Sequence, residues 1–221
     1  MSRMFPFITK TWNPIGGECH IRCSYCWARK FIKRNERLTE KYSGKARVFY
    51  KEMTKTFKDD DFVFVSDMRD MFEANVPTSQ IDEVLAKIQL ESPTKFLLLT
   101  KNPARYHEFA LPGNCVAGAT IETDCGLDRQ TRIDAMGFLA YPVKMISVEP
   151  IMDFSANFPD KISKIKPQFV AIGYDNYENG LSEPSLKKTQ GLIGFLRAKN
   201  ILVYEKTLRE SVSQEETLGE A

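Results

Sequence analysis

The chain has 221 residues, 43% hydrophobic and 27% charged, with a net charge of +2; that is enough apolar surface for one full core and predicts one domain. No apolar run approaches the roughly 18 residues of a membrane span, and the opening MSRMFPFITK lacks the apolar stretch of a secretory signal. A soluble, cytoplasmic protein is therefore expected, which argues against reading the five cysteines as disulfides and points them to metal or redox chemistry.

Seven short apolar runs follow one another at 5–12, 61–68, 95–102, 115–124, 143–150, 169–176 and 201–207. They are continuous rather than alternating, as in strands buried on both faces of a parallel sheet. Helical spacing lies between them. After the second run Ile81, Val84, Leu85 and Ile88 recur at helical intervals, with Thr78 or Ser79 placed to cap the helix. The stretches 128–141 and 185–200 read the same way. The order is β-α repeated six times with a seventh strand, which predicts parallel strands with right-handed crossovers, in an open doubly wound sheet or a partial barrel. One domain over 1–208 is expected, with 209–221 an acidic, disordered tail.

Polarity resumes at nearly every strand end. Thr9, Lys10 and Thr11 are expected after the first, Ser66 and Asp67 after the second, and Thr100 and Lys101 after the third. Thr120 and Glu122, Ser147 and Glu149, and Tyr174 and Asp175 close the next three. In parallel α/β proteins ligands sit at the carboxyl ends of the strands, so one site at this edge is expected.

After the first strand comes CHIRCSYC, with Cys19, Cys23 and Cys26 in eight residues. A structural zinc site wants four ligands, usually as two paired hooks. Here the second hook is missing: Cys115 and Cys125 lie about 90 residues downstream, and the two histidines are His20 and His107. A cubane iron–sulfur cluster normally takes four thiolates. Three leave one iron open to a small molecule.

The spacing Cys-x3-Cys-x2-Cys, with aromatic Tyr25 before the last cysteine, resembles the signature of the radical S-adenosylmethionine (SAM) enzymes. The resemblance implies a partial (β/α)6 TIM-like barrel with the cysteine loop after strand one. It implies a [4Fe–4S] cluster on Cys19, Cys23 and Cys26 that reductively cleaves SAM to a 5′-deoxyadenosyl radical, which abstracts hydrogen from a substrate. An electron donor such as a flavodoxin or ferredoxin is implied as partner. TWNP, VSDM, LLTKNP and SVEP together resemble a small phage- and prokaryote-associated radical-SAM-like family. The TK after strand three is weakly similar to spore photoproduct lyase.

Carried over by position, Tyr25 borders the adenine and Lys101 meets the SAM carboxylate. Ser66-Asp67-Met68 stands where most members carry Gly-Gly-Glu, so Asp67 is the expected acceptor of the SAM ammonium. Thr120 and Glu122 are ribose or amino partners, and Ser147 and Glu149 do that or hold substrate. Cys125 or Tyr174 is the expected hydrogen-atom donor.

Residues 29–58 hold eleven basic against three acidic residues, a local net of +8 that leaves −6 for the rest. Such a block beside the cysteine loop is either a solvated face or a site for a nucleic acid or nucleotide held by its phosphates, with another small molecule or a protein as the alternative substrates. Phe31, Tyr42, Phe49, Tyr50 and Phe57 are interspersed as candidate base-stacking rings. The competing readings are a metal-stabilised basic nucleic-acid-binding module and a protein that binds cluster and SAM without catalysis.

Overall fold

Each apolar run contributes one strand in the computed structural model, which describes residues 4–210. Strand β1 (Lys10–Trp12) is followed by β2 (Ile15–Gly16), the cysteine loop, α1 (Trp27–Ile32) and α2 (Glu36–Lys41). Strand β3 (Arg47–Val48) pairs antiparallel with β2, and α3 (Tyr50–Met53) leads into β4 (Phe62–Val65). Next come α4 (Thr78–Leu90), β5 (Lys95–Thr100), a 3₁₀ turn (Pro103–Glu108), β6 (Cys115–Thr120) and α5 (Leu127–Phe138). The chain continues through β7 (Lys144–Val148), α6 (Phe158–Lys164), β8 (Phe169–Ile172), α7 (Leu186–Ala198) and β9 (Leu202–Glu205).

Seven strands form one parallel sheet in the order β1-β4-β5-β6-β7-β8-β9. The order never reverses, and that rules out the doubly wound arrangement, which needs a reversal point. Residue alternation explains why the helices gather on one face. Val63, Val65, Phe96, Leu98, Ala117, Ile146, Val148, Val170 and Ile172 share a core with Ile81, Val84, Leu85 and Ile88 of α4, Ile133 of α5, Phe158 of α6 and Leu192 of α7. The intervening residues Phe64, Leu97, Met145 and Ala171 face the other way, where Phe5 and Phe7 of the N-terminal segment cover them. Both faces are apolar, and so the runs show no period of two.

Three local expectations are corrected. The N-cap of α4 is Pro77, without a side-chain capping bond; the Thr78 hydroxyl instead accepts from Arg105 at 3.4 Å. The crossover from β5 to β6 holds only the 3₁₀ turn, not a helix. It is pinned by Tyr106, buried and donating to the carbonyls of Leu98 (2.6 Å) and Gly118 (2.9 Å). Tyr106→Phe is expected to cost about 1–3 kcal/mol, the range for unpaired buried polar groups, read as a shifted urea midpoint with unchanged slope. Of the expected tail, Arg209 is ion-paired to Glu183 at 2.6 Å, and 211–221 lie outside the described residues. No helix among the described residues is long and apolar enough to cross a membrane.

Candidate functional site

The carboxyl ends of the strands open into a cavity of about 320 Å³. Its lining includes Cys19, Cys23, Tyr25 and Cys26 of the loop after β2, Ser66 and Asp67 after β4, Lys101 after β5, Thr120 of β6, Ser147 and Glu149 at the end of β7, and Tyr174 after β8. Eleven residues expected at one site thus border one space.

The cysteine loop is held from below by groups the sequence reading passed over. Glu73 accepts from the backbone N–H of His20 at 2.9 Å and lies 2.8 Å from the His20 ring. Arg69 bonds the same carboxylate at 3.2 Å and the Gly16 carbonyl at 2.6 Å. Gly17 has φ +92, and a Cβ there would lie 2.4 Å from the Lys45 carbonyl, so only glycine lets β2 meet β3. Cys26 caps α1, its sulfur accepting from the Arg29 N–H at 3.4 Å.

Burial pushes the Cys19 thiol up to about 11, against backbone N–H donors from Asp70 and Ile21 that favour the thiolate. Burial also raises Cys23, while the Lys101 ammonium pulls the other way. A thiolate here is unfavourable until a positive charge joins it.

Behind β4 the chain turns sharply. Ser66 has φ +59, is buried, lines the cavity, and its hydroxyl has no hydrogen-bond partner among the described residues. Asn13 donates to Asp67 at 2.5 Å and accepts from the Met68 N–H at 3.2 Å; burial holds the Asp67 carboxyl above its ordinary range. Asp70 accepts from Thr100 (2.7 Å), the Lys101 N–H (2.7 Å) and the Phe72 N–H (2.9 Å), tying the turn to β5.

Lys101 places its ammonium 5.2 Å from the Tyr25 ring centre and 3.9 Å from Glu122. Glu122 itself does not line the cavity. It accepts from the Tyr25 hydroxyl and from Arg132 at 2.9 Å, so it orients Tyr25 from behind instead of meeting a ligand. Burial and the Glu122 carboxylate both drive the Tyr25 phenol up. At the far end Glu149 pairs with Lys206 at 2.7 Å and accepts from Asn176 at 3.3 Å; its carboxyl is raised by burial, with Lys206 opposing.

The two expected hydrogen-atom donors separate. Cys125 is exposed and outside the cavity, its sulfur 3.9 Å from the Asp153 carbonyl. Tyr174 borders the cavity, but its hydroxyl bonds the Pro184 carbonyl (3.0 Å) and Thr189 (2.8 Å) in the core. The aromatic expectation divides. Tyr42 is buried, Phe57 packs 5.5 Å from Trp12, and Phe49 lies 5.0 Å from the Lys41 ammonium. Phe31 and Tyr50 are exposed.

Among the described residues no three His, Cys, Asp or Glu side chains converge on one metal-ion position. A cubane does not ask for convergence, since each thiolate binds a different iron.

The chain matches the family described as "Protein of unknown function (DUF5131)" over residues 4–165, and it belongs to that family. No curated protein and no solved structure matches it.

The residues missed in the sequence are Arg69, Asp70, Glu73 and Asn13. A signal existed: SDMRDMFE packs four ionic side chains into the eight residues after a strand.

Proposed function

We propose that this chain is a radical SAM enzyme, built as a partial (β/α)6 barrel with a seventh strand. One observation carries the reading: the three cysteines border the same cavity as the polar ends of five successive strands. The sequential strand order and single helical layer suit barrel winding.

The donor set fits the implied groups. Cys19, Cys23 and Cys26 would hold a [4Fe–4S] cluster, whose charge offsets the burial that disfavours the Cys19 and Cys23 thiolates. The unpartnered Ser66 hydroxyl and Asp67 would receive an ammonium, and Lys101 a carboxylate. Tyr25, fixed by Glu122, would border the adenine, while Thr120 and Ser147 offer hydroxyls to a ribose. When bound and reduced, the cluster supplies the electron that converts SAM to methionine and a 5′-deoxyadenosyl radical. The protein's own part is to orient, to neutralise and to exclude water.

The test is anaerobic reconstitution with iron and sulfide, then addition of dithionite, standing in for a flavodoxin or ferredoxin donor, and of SAM. The expected result is a brown protein that releases 5′-deoxyadenosine, measured by mass spectrometry. Stoichiometric zinc without iron uptake would overturn the reading, and a stable cluster that binds SAM without cleaving it would reduce it to a binding protein.

A further inference from the structure

The cavity is small for what the proposed reaction asks of it. Its volume of about 320 Å³ is at the low end of the roughly 300–1,000 Å³ typical of a site for one small molecule. A cluster and SAM together fill such a space, so the atom to be attacked must arrive from the mouth, carried on a body that stays outside.

The surface beside the mouth shows what kind of body. Helix α1 starts at Cys26 and carries Arg29 and Lys30; Lys33, Arg34 and Arg37 continue the run, and all five are exposed. Arg29, Lys33, Arg34 and Arg37 enter no ion pair among the described residues. Lys30 reaches across the mouth, donating to Asn179 at 2.7 Å with its ammonium 5.9 Å from the Tyr177 ring centre. Aromatic surface runs in the same direction. Phe31 is 50% exposed, its ring centre is 6.3 Å from that of Trp27, and both Trp27 and Tyr177 line the cavity. Unpaired cations beside a ramp of rings from solvent into a cavity match the two needs of a single-stranded polynucleotide, phosphate neutralisation and flat surfaces for its bases.

We propose that α1 and the turn after it dock a single-stranded nucleic acid across the cavity mouth, with one base stacked on Phe31 and a neighbouring nucleotide presented to the cavity. The proposal rests on the radical SAM reading for the chemistry but not for the binding, so the two fail separately.

The test uses the full chain and a fluorescein-labelled oligothymidylate of about 20 nucleotides, followed by fluorescence anisotropy between about 50 and 200 mM salt. Five phosphate contacts give a slope of log K against log salt near −3.5, at about −0.7 per contact. The variant Lys33→Gln/Arg34→Gln/Arg37→Gln is expected to flatten that slope by about 2, with dithionite-driven 5′-deoxyadenosine formation unchanged in the absence of oligonucleotide. Phe31→Ala is expected to weaken binding about tenfold with the slope intact, as for loss of one stacked base. Unchanged affinity and slope in the triple variant would overturn the proposal. Competition by polyglutamate at equal charge, as effective as that by unlabelled oligonucleotide, would also overturn it and assign the face to an acidic protein. Oligonucleotide binding in a chain that takes up no iron would retain the docking surface and sink the radical chemistry alone.

Discussion

Cys23→Ala is expected to reduce iron and sulfide retention after anaerobic reconstitution to below about a tenth of the wild-type level, the least that losing a direct ligand should do when outer contacts alone are worth 10–100-fold. Formation of 5′-deoxyadenosine should fall with it. The fold should remain. Cys23 is only partly buried, and its replacement leaves the Cys19 and Cys26 contacts with the backbone in place. The melting temperature should therefore move little, as for surface substitutions worth within about 0.5 kcal/mol. Cys23 is a cleaner probe than Cys19, whose sulfur accepts two backbone N–H bonds, or Cys26, which caps α1. Cys125→Ser is the matched control, exposed and outside the cavity, and should keep its iron. Iron retained by Cys23→Ala, or lost equally by Cys125→Ser, would mean that the triplet is not the ligand set.

The strands were legible because burial on both faces writes itself as unbroken apolar runs: 61–68, 95–102 and 143–150 each contain the strand they predict. A reversing and a sequential strand order read alike in the sequence, because residues such as Val63 and Phe64 are equally apolar whichever face the helices take. The short α1, α2 and α3 were missed for a different reason. Their sequence is basic and aperiodic, and they are set by local devices such as the Cys26 and Asn35 caps.

At the candidate site the lining was legible and the scaffolding was not. Strand ends announce themselves by the return of polarity, and Ser66, Lys101 and Thr120 do line the cavity. Which way a side chain turns is decided by partners far away in sequence. Glu122 is drawn back by Arg132 and leaves the cavity lining, while Tyr174 borders the cavity but commits its hydroxyl to Pro184 and Thr189. The basic segment was legible as charge. Only the fold separates Phe31, which is exposed, from Tyr42 and Phe57, which pack.

The largest stability effect is expected at Glu73. Its carboxylate is 4% exposed and pairs with an Arg69 guanidinium 1% exposed, so Glu73→Ala strands a buried cation at a cost of about 3–5 kcal/mol. At about 2–4 °C per kcal/mol for a chain of this size, the melting temperature should drop by roughly 6–20 °C. The same substitution removes the acceptor for the His20 N–H and so frees the loop between Cys19 and Cys23. The double variant Arg69→Met/Glu73→Leu separates the two consequences. With both charges gone and the volume filled, most of the stability should return, because a buried ion pair is often matched by apolar residues. The His20 N–H still lacks its acceptor, so iron retention should stay low. If iron returned together with stability, Glu73 would serve only to balance Arg69, and the position of the cysteine loop would have to be set from the other side, by the Asp70 N–H on Cys19 and the tight approach at Gly17.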